Sequence, residues 1–532
     1  MTLGMGCRGL LLWLGCSVFL VVAEAGKPNI LFLMADQMRW DARGPDVTPN
    51  LDSMGKEGVE FVKAYSTTPT CTPARAAILT GRSPWFHGML GYGKIADKYP
   101  QGEFVPLLNK LGYTTASVGK DHFGWNFTSN KGISHGFSST LLYDGIGNGF
   151  NVTNVEFDNY DQWFQSVMPK KDPNKGFESH NEWKALPYPY DKFYHPTAWT
   201  GRHAVDFIAN YRNRSRGSVP PQPFFLKVSF HRPHSQYDPP SSYFEKIPLE
   251  RVQKPTVGGN WDSIYRDSPG CGPSDANAWC GDMGTNETMY SRRSYLANVL
   301  FVDEQIGFIT NALKAHGYGE NTFVLFVSDH GDGQGDHYHW RKGYPYEFSS
   351  HVPMLAWWPQ GMFQDFPRGL RTKKVVELRD LFPTFLDVAD GSDQVPLGIN
   401  GSSLLNILRP DDVHKKPWRQ WIDLEHSTCY NATNHWNALT DGEIKYIYQA
   451  FSGDEQLFNL AVDPMELNNL AGDAHHSNTL MTWRNRMIRQ FLDEGRGEDW
   501  TKRSSSGKVE LRKRTQPMTY SPYYPKNDFA KF

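Results

Sequence analysis

Cys71 opens the run CTPARAAILTGR, with Pro73 two residues on and Arg75 about one helical turn away. Taken alone, the run suggests a reactive position, and it also fits a buried or disulfide-bonded thiol. Metal-binding chemistry stands at the ends of two apolar runs: Ile30 to Ala35 (ILFLMA) leads into Asp36 and Gln37, and Thr322 to Val327 (TFVLFV) leads into Ser328, Asp329 and His330. Carboxylate and amide oxygens suit a hard cation such as Ca²⁺ or Mg²⁺, and a histidine nitrogen among them also suits Mn²⁺. Groups that bind anions or move protons are Lys120 and His122 in GKDHFG, His231 and His234 in HRPH, and Lys342 in RKGYPYE. A single Lys or Arg is usually a solvated surface charge, and a single His a satisfied hydrogen-bonding residue, so these positions carry meaning only as a set. Asp336, His337 and His339 crowd the same loop as His330 with no reaction that requires them, and a structural role is expected.

The elements that must position these residues are legible from hydrophobic pattern. ILFLMA, TFVLFV and Phe224 to Phe230 (FFLKVSF) are short continuous apolar runs, the pattern of strands buried on both faces. Each delivers polar residues at its carboxyl end, where open α/β sheets bind ligands. A helix is expected to start at Ala74, just after Pro73, and another to run from Ser294 to His316. The result is an α/β sandwich. From about Asp411 the texture changes: Ile444 to Tyr448 and Gln456 to Leu460 alternate as a small antiparallel sheet would, a helix is expected from Ser477 to Glu494, and the basic tail after Thr501 reads as irregular. The stretch from Pro169 to Pro196 is too long for a simple connector and is expected to wall a substrate site.

Composition bounds the alternatives. At 532 residues with 14% aromatics the chain has a sizeable core and is neither disordered nor fibrous. With 55 Lys+Arg against 57 Asp+Glu and no long single-sign block, no surface for a polyanion is advertised, and a nucleic-acid partner is disfavoured. Arg8, the apolar run Leu10 to Ala23 and the small residues closing at Ala25 form the pattern of a cleaved signal peptide over residues 1–25. Its apolar part is about 14 residues, short of the roughly 20 a bilayer-crossing helix needs, so no stable membrane anchor is expected. In the oxidising compartment beyond, Cys271 and Cys280 are expected to pair across CGPSDANAWC, while Cys429 has no evident partner. Sequons at Asn126, Asn151, Asn213, Asn286, Asn400 and Asn431 agree with a secretory glycoprotein.

The motifs in order, from PNILFLMADQ through CTPARAAILTGR, GYTTASVGKDHFG, FFLKVSFHRPH, SDHGDGQGDH and KGYPYE to EQLFNLAVDPMELNNLA, resemble the sulfatase family over most of the mature chain. The resemblance implies an alkaline-phosphatase-like α/β sandwich with a large mixed sheet at residues 26–410, and a smaller C-terminal domain with an antiparallel sheet at 411–532. It implies that Cys71 is oxidised to formylglycine by a formylglycine-generating enzyme. The hydrate offers two hydroxyls, one to attack sulfur and one whose deprotonation expels sulfate. It also implies that Asp36, Gln37, Asp329, His330 and residue 71 share one Ca²⁺, with Mn²⁺ or Mg²⁺ as alternatives. By the same resemblance Arg75 holds the hydrate, Lys120 contacts hydrate and sulfate, His122 helps deprotonate the hydrate, and Lys342 binds a sulfate oxygen and the leaving oxygen. His234 is the leaving-group acid, with His231 the alternative. Gln37 stands where the family commonly has a second Asp, His330 where it often has Asn, and Asp121 and Phe123 replace the usual Trp and Leu. The DQ and DH pairs also resemble phosphonate monoester and phosphodiester hydrolases, and a non-catalytic carbohydrate-binding glycoprotein is a further alternative. The expected activity is hydrolysis of the sulfate ester of a small molecule or glycan, in the lysosome or outside the cell.

Overall fold

In the computed structural model, which describes residues 26–126, 131–145, 159–214, 222–410, 417–428 and 430–525, the three apolar runs are adjacent strands of one sheet. Its strands are Asn29–Asp36 (β1), Val59–Phe61 (β2), Thr114–Gly119 (β3), Ser139–Leu142 (β4), Phe224–Pro233 (β5), Thr322–Ser328 (β6), Met354–Trp357 (β7) and Leu370–Thr372 (β8). They lie in the order β8-β2-β7-β6-β1-β5-β3-β4. β7 is antiparallel to both neighbours and every other pair is parallel, which makes the sheet mixed.

Alternation along the central strands builds a core on each face. Ile30, Phe32 and Met34 join Phe323, Leu325 and Val327 on one face, packed with Ala74 and Ile78 of helix Cys71–Thr80 (α1). Leu31, Leu33 and Ala35 join Leu226, Val228 and Phe230 on the other, against Ile208 of Pro196–Arg214 (α2) and Val299 and Ile306 of Thr285–Ala315 (α3). Covering both faces is what makes these strands continuously apolar.

Two helix starts differ from expectation. α1 begins at Cys71, not Ala74, because proline lacks only an N–H that the first turn leaves unbonded. α3 begins at Thr285, not Ser294, since its first turns (TNETMYSRR) are mostly polar and carry little apolar period.

Ile422–His426 (β9), Trp436–Thr440 (β10), Ile444–Gln449 (β11) and Glu455–Asn459 (β12) form an antiparallel sheet in chain order, followed by helix Ser477–Asp493 (α4). The tail is not wholly irregular: Thr501–Arg503 (β13) pairs antiparallel with Val509–Leu511 (β14). Strands of three residues are too short for an alternation to be read. Beyond them, Leu90 N–H donates to the Thr519 carbonyl and Ser521 N–H to that of Gly88, tying the tail to the segment after α1. Cys271 and Cys280 are joined. No helix among the described residues is long and apolar enough to cross a membrane. Residues 1–25, Asn151 and Cys429 lie outside the described residues.

Candidate active site

Strand ends and one helix start converge on a single point. Asp36 ends β1, Asp329 and His330 follow β6, Lys120 follows β3, His231 lies near the end of β5 and His234 just after it, and Cys71 is the first residue of α1. One turn into that helix, Arg75 reaches Asp36 Oδ2 at 3.1 Å and Asp329 Oδ2 at 2.9 Å. Its other donors face the Lys120 carbonyl (2.7 Å) and Ser229 Oγ (3.3 Å). All these residues are buried.

Asp36, Cys71, Asp329 and His330 present donor atoms within 4.8 Å of one another. His330 Nδ1–H donates to the Gly331 carbonyl at 3.0 Å, which leaves Nε2 as a lone-pair donor, 3.3 Å from Cys71 Sγ. Burial and Cys71 push the Asp36 carboxyl up, but Lys120, His234 and His330 outweigh them and hold it well below the usual carboxylate range. Asp329 is instead pushed up, by burial and by the Asp36 charge. Two buried carboxylates whose charges conflict, beside an imidazole lone pair, fit a divalent cation. Gln37 sits at the margin: its amide oxygen accepts from Lys342 Nζ at 2.7 Å and its amide nitrogen donates to Asp332 Oδ2 at 2.5 Å.

The cations ring residue 71. Lys120 Nζ lies 2.7 Å from Asp36 Oδ2, and Lys342 Nζ donates to His234 Nε2 at 2.5 Å. Burial pushes the Cys71 thiol up, yet Lys342, Lys120 and His330 carry it well below the usual thiol range, so the position favours negative charge. Gln37 (φ 69°) and His122 (φ 54°) both adopt the left-handed region, which non-glycine residues keep only where contacts fix them. Gln37 N–H donates to Asp329 Oδ1 at 3.1 Å and His122 N–H to Asp144 Oδ1 at 2.9 Å.

Several residues that matter here carried little signal of their partners in sequence. Asp332 orients the Gln37 amide while accepting from Tyr237 at 2.7 Å; its spacing in DHGDG was the only cue. Asp144 holds the GKDH turn through the N–H groups of Asp121 and His122. Asp121, the departure from the usual Trp, pairs at 2.5 Å with Lys227 on β5. Above the cluster a cavity of about 290 Å³ is walled by Tyr92, His180, Asn181, Arg341, His426 and Tyr430, among others. His180 and Asn181 come from the long stretch between Pro169 and Pro196.

The structural role expected of the DHYH loop holds. His337 donates from Nδ1 to Asp262 at 2.9 Å and from Nε2 to the Met465 carbonyl at 2.7 Å, which requires the imidazolium. Burial pushes its pKa down, but those two acceptors outweigh burial and hold it above the ordinary value. A raised folded pKa contributes stability that is fully present below the unfolded value and is lost as pH rises through the folded one. Thermal unfolding of His337→Gln should therefore show a deficit of about 1–2 kcal/mol at pH 5 that shrinks by pH 8; an equal deficit at both would rule out the charged clamp. His339, packed on Tyr265 and Tyr344, is pushed down to about 3 by burial and the His337 charge.

Residues 28–392 match the family model for sulfatases, and residues 335–492 match that for the C-terminal part of N-sulphoglucosamine sulphohydrolase. An arylsulfatase of Clostridium perfringens (strain 13 / Type A) is 35% identical over 492 residues, spanning 89% of this chain and 96% of its own. The phosphonate monoester hydrolase of Agrobacterium radiobacter has the same fold at a TM-score of 0.68 and 21% identity, covering 92% of this chain and 100% of its own. A protein solved with its substrate D-glucosamine-2-N,6-O-disulfate is similar at a TM-score of 0.65 and 19% identity, over 89% of this chain and 99% of its own. At such identities the two structures speak for the fold alone.

Proposed function

This chain belongs to the sulfatase family, and on that premise we propose that it hydrolyses the sulfate ester of a small molecule or glycan through a formylglycine made from Cys71. The observation that carries the reading is the placement of Cys71 Sγ 3.3 Å from His330 Nε2 and 3.9 Å from Asp36 Oδ1, inside the ring of Lys120, Lys342 and His234. A hydrated aldehyde at residue 71 supplies one hydroxyl to attack sulfur and a second whose deprotonation releases sulfate. Asp36, Asp329, His330 and residue 71, with Gln37 at the margin, would hold a divalent cation, Ca²⁺ first by donor type, that polarises sulfate oxygens when bound. Lys120 and Lys342 neutralise the ester, and Arg75 keeps its charge against the two carboxylates. His122 lines the same cavity, is hydrogen-bonded to the Cys71 side chain, and is the base for the hydrate.

His234 serves as the leaving-group acid. Its Nδ1–H donates to the Ser235 carbonyl at 2.5 Å, so Nε2, in contact with Lys342 Nζ, is where a proton is gained and lost. His234→Ala should lower turnover of a sugar sulfate by about a hundredfold and that of a nitrophenyl sulfate far less, because only the poor leaving group needs the proton. Lys342→Ala should damage both. Equal losses on both substrates for His234→Ala would remove it as the acid.

A 290 Å³ cavity with Tyr92 and Tyr430 at its wall suits one sugar unit. The Cys271–Cys280 bond and the exposed sequons Asn286, Asn400 and Asn431 support a secretory route, lysosomal or extracellular. The DQ and DH pairs, Asp36 with Gln37 and Asp329 with His330, keep phosphonate monoester and phosphodiester hydrolysis as the second reading. Mass spectrometry of the peptide bearing residue 71, with turnover of aryl sulfate against aryl phosphodiester, tests both. Formylglycine and a preference for sulfate are expected; an active enzyme with unmodified Cys71, or a preference for the phosphodiester, would overturn the proposal.

A further inference from the structure

His231 and His234 lie on one strand end with ring centroids 4.8 Å apart, yet their hydrogen bonds prepare them for different work. His231 Nδ1 is 2.7 Å from Arg232 Nη1. A guanidinium only donates, so Nδ1 must accept and the ring proton must sit on Nε2. Arg232 does not swing away: Nε meets Asp238 Oδ1 at 2.5 Å, Nη2 meets Oδ2 at 2.7 Å, and Nη2 also donates to Gln236 at 3.3 Å. Arg232 and Asp238 are both buried. A second proton on His231 would have to enter between Nδ1 and this fixed cation. The other titratable or charged groups acting on the ring are Lys120, His234 and Asp36, with Tyr143 packed at 5.3 Å. Nε2 faces the side of Gly145, where a β-carbon would come within 2.4 Å of it. Both His231 and Gly145 line the cavity above residue 71.

We propose that His231 is a permanently neutral hydrogen-bond donor, through Nε2–H, to an oxygen of the bound sulfate ester, and that Arg232 and Asp238 are the positioning residues that hold it so. This assigns His231 to substrate binding and leaves proton transfer to His234, whose Nε2 meets the ammonium of Lys342 and not a guanidinium fixed by a carboxylate. The inference rests on the sulfate-ester reading above.

Glutamine discriminates, because its amide oxygen can accept from Arg232 while its amide nitrogen donates into the cavity, and it cannot act as an acid or base. His231→Ala is expected to lower kcat/KM for a sulfate ester by about ten- to a hundredfold, the loss of one hydrogen bond to a charged group. His231→Gln should recover most of that loss. Both variants should stay folded and keep the wild-type pH–rate profile, with His231→Ala unfolding at a lower temperature because Arg232 loses a buried acceptor. A folded His231→Gln as impaired as His231→Ala, or a limb of the pH profile missing from either, would overturn the assignment. Failure of the wild-type enzyme to turn over any sulfate ester would instead end the reading beneath it, so the two failures are told apart by the wild-type control.

Discussion

Cys71→Ser is expected to leave a folded protein that cannot turn over. The side chain is buried at the first residue of α1 and bonded to no other cysteine among the described residues, so exchanging sulfur for oxygen removes little packing. What it removes is the route out. A serine hydroxyl has the same cation ring for an attack on sulfur, but the ester it would form carries no second hydroxyl on the same carbon, so sulfate has no means of departure by collapse. Steady-state turnover should fall by about five orders of magnitude, as it does when a covalent nucleophile is deleted, with at most one sulfate retained per chain. Cys71→Ala should be as inactive and retain none. Thermal unfolding, sulfate release and intact mass together check this. Sustained turnover by the serine variant would sink the aldehyde-based mechanism.

What the sequence disclosed was decided by locality. ILFLMA, FFLKVSF and TFVLFV are buried on both faces, so each announced a strand, and each carboxyl end named the site residues that follow it. CGPSDANAWC announced its own bridge because both cysteines close one short loop. The unannounced residues act across long separations. Asp332 orients Gln37 from 295 residues away, and Lys227 meets Asp121 from 106 away. Nothing in either local pattern marks such a partner. The resemblance preferred His234 to His231 as the acid, but HRPH itself does not separate them, because the contrast lies in which atom each Nδ1 faces, Arg232 Nη1 for His231 and the Ser235 carbonyl for His234. The start of α1 misled because proline reads as a breaker unless it falls in a first turn.

Removal of the divalent cation should abolish turnover, and the conflict between the two buried carboxylates explains why. Asp36 remains ionised while burial and that neighbouring charge push Asp329 up. A bound cation resolves the conflict by neutralising both. Without it, Arg75 and Lys120 supply the compensation, and Lys120 Nζ is held at 2.7 Å on Asp36 when it is needed by the sulfate. Chelation should therefore cost about a thousandfold or more in kcat/KM, several kcal/mol of charge stabilisation, and Ca²⁺ should restore it. Asp329→Asn should lose activity comparably and respond poorly to added Ca²⁺, since it removes an anionic donor from a site that Gln37 already leaves one carboxylate short. Because the raised Asp329 and the His330 nitrogen must both be free of protons to bind a metal, half-maximal reactivation should need more Ca²⁺ at pH 5 than at pH 7. Full turnover by protein shown to be metal-free by elemental analysis would exclude the cation from this site's chemistry.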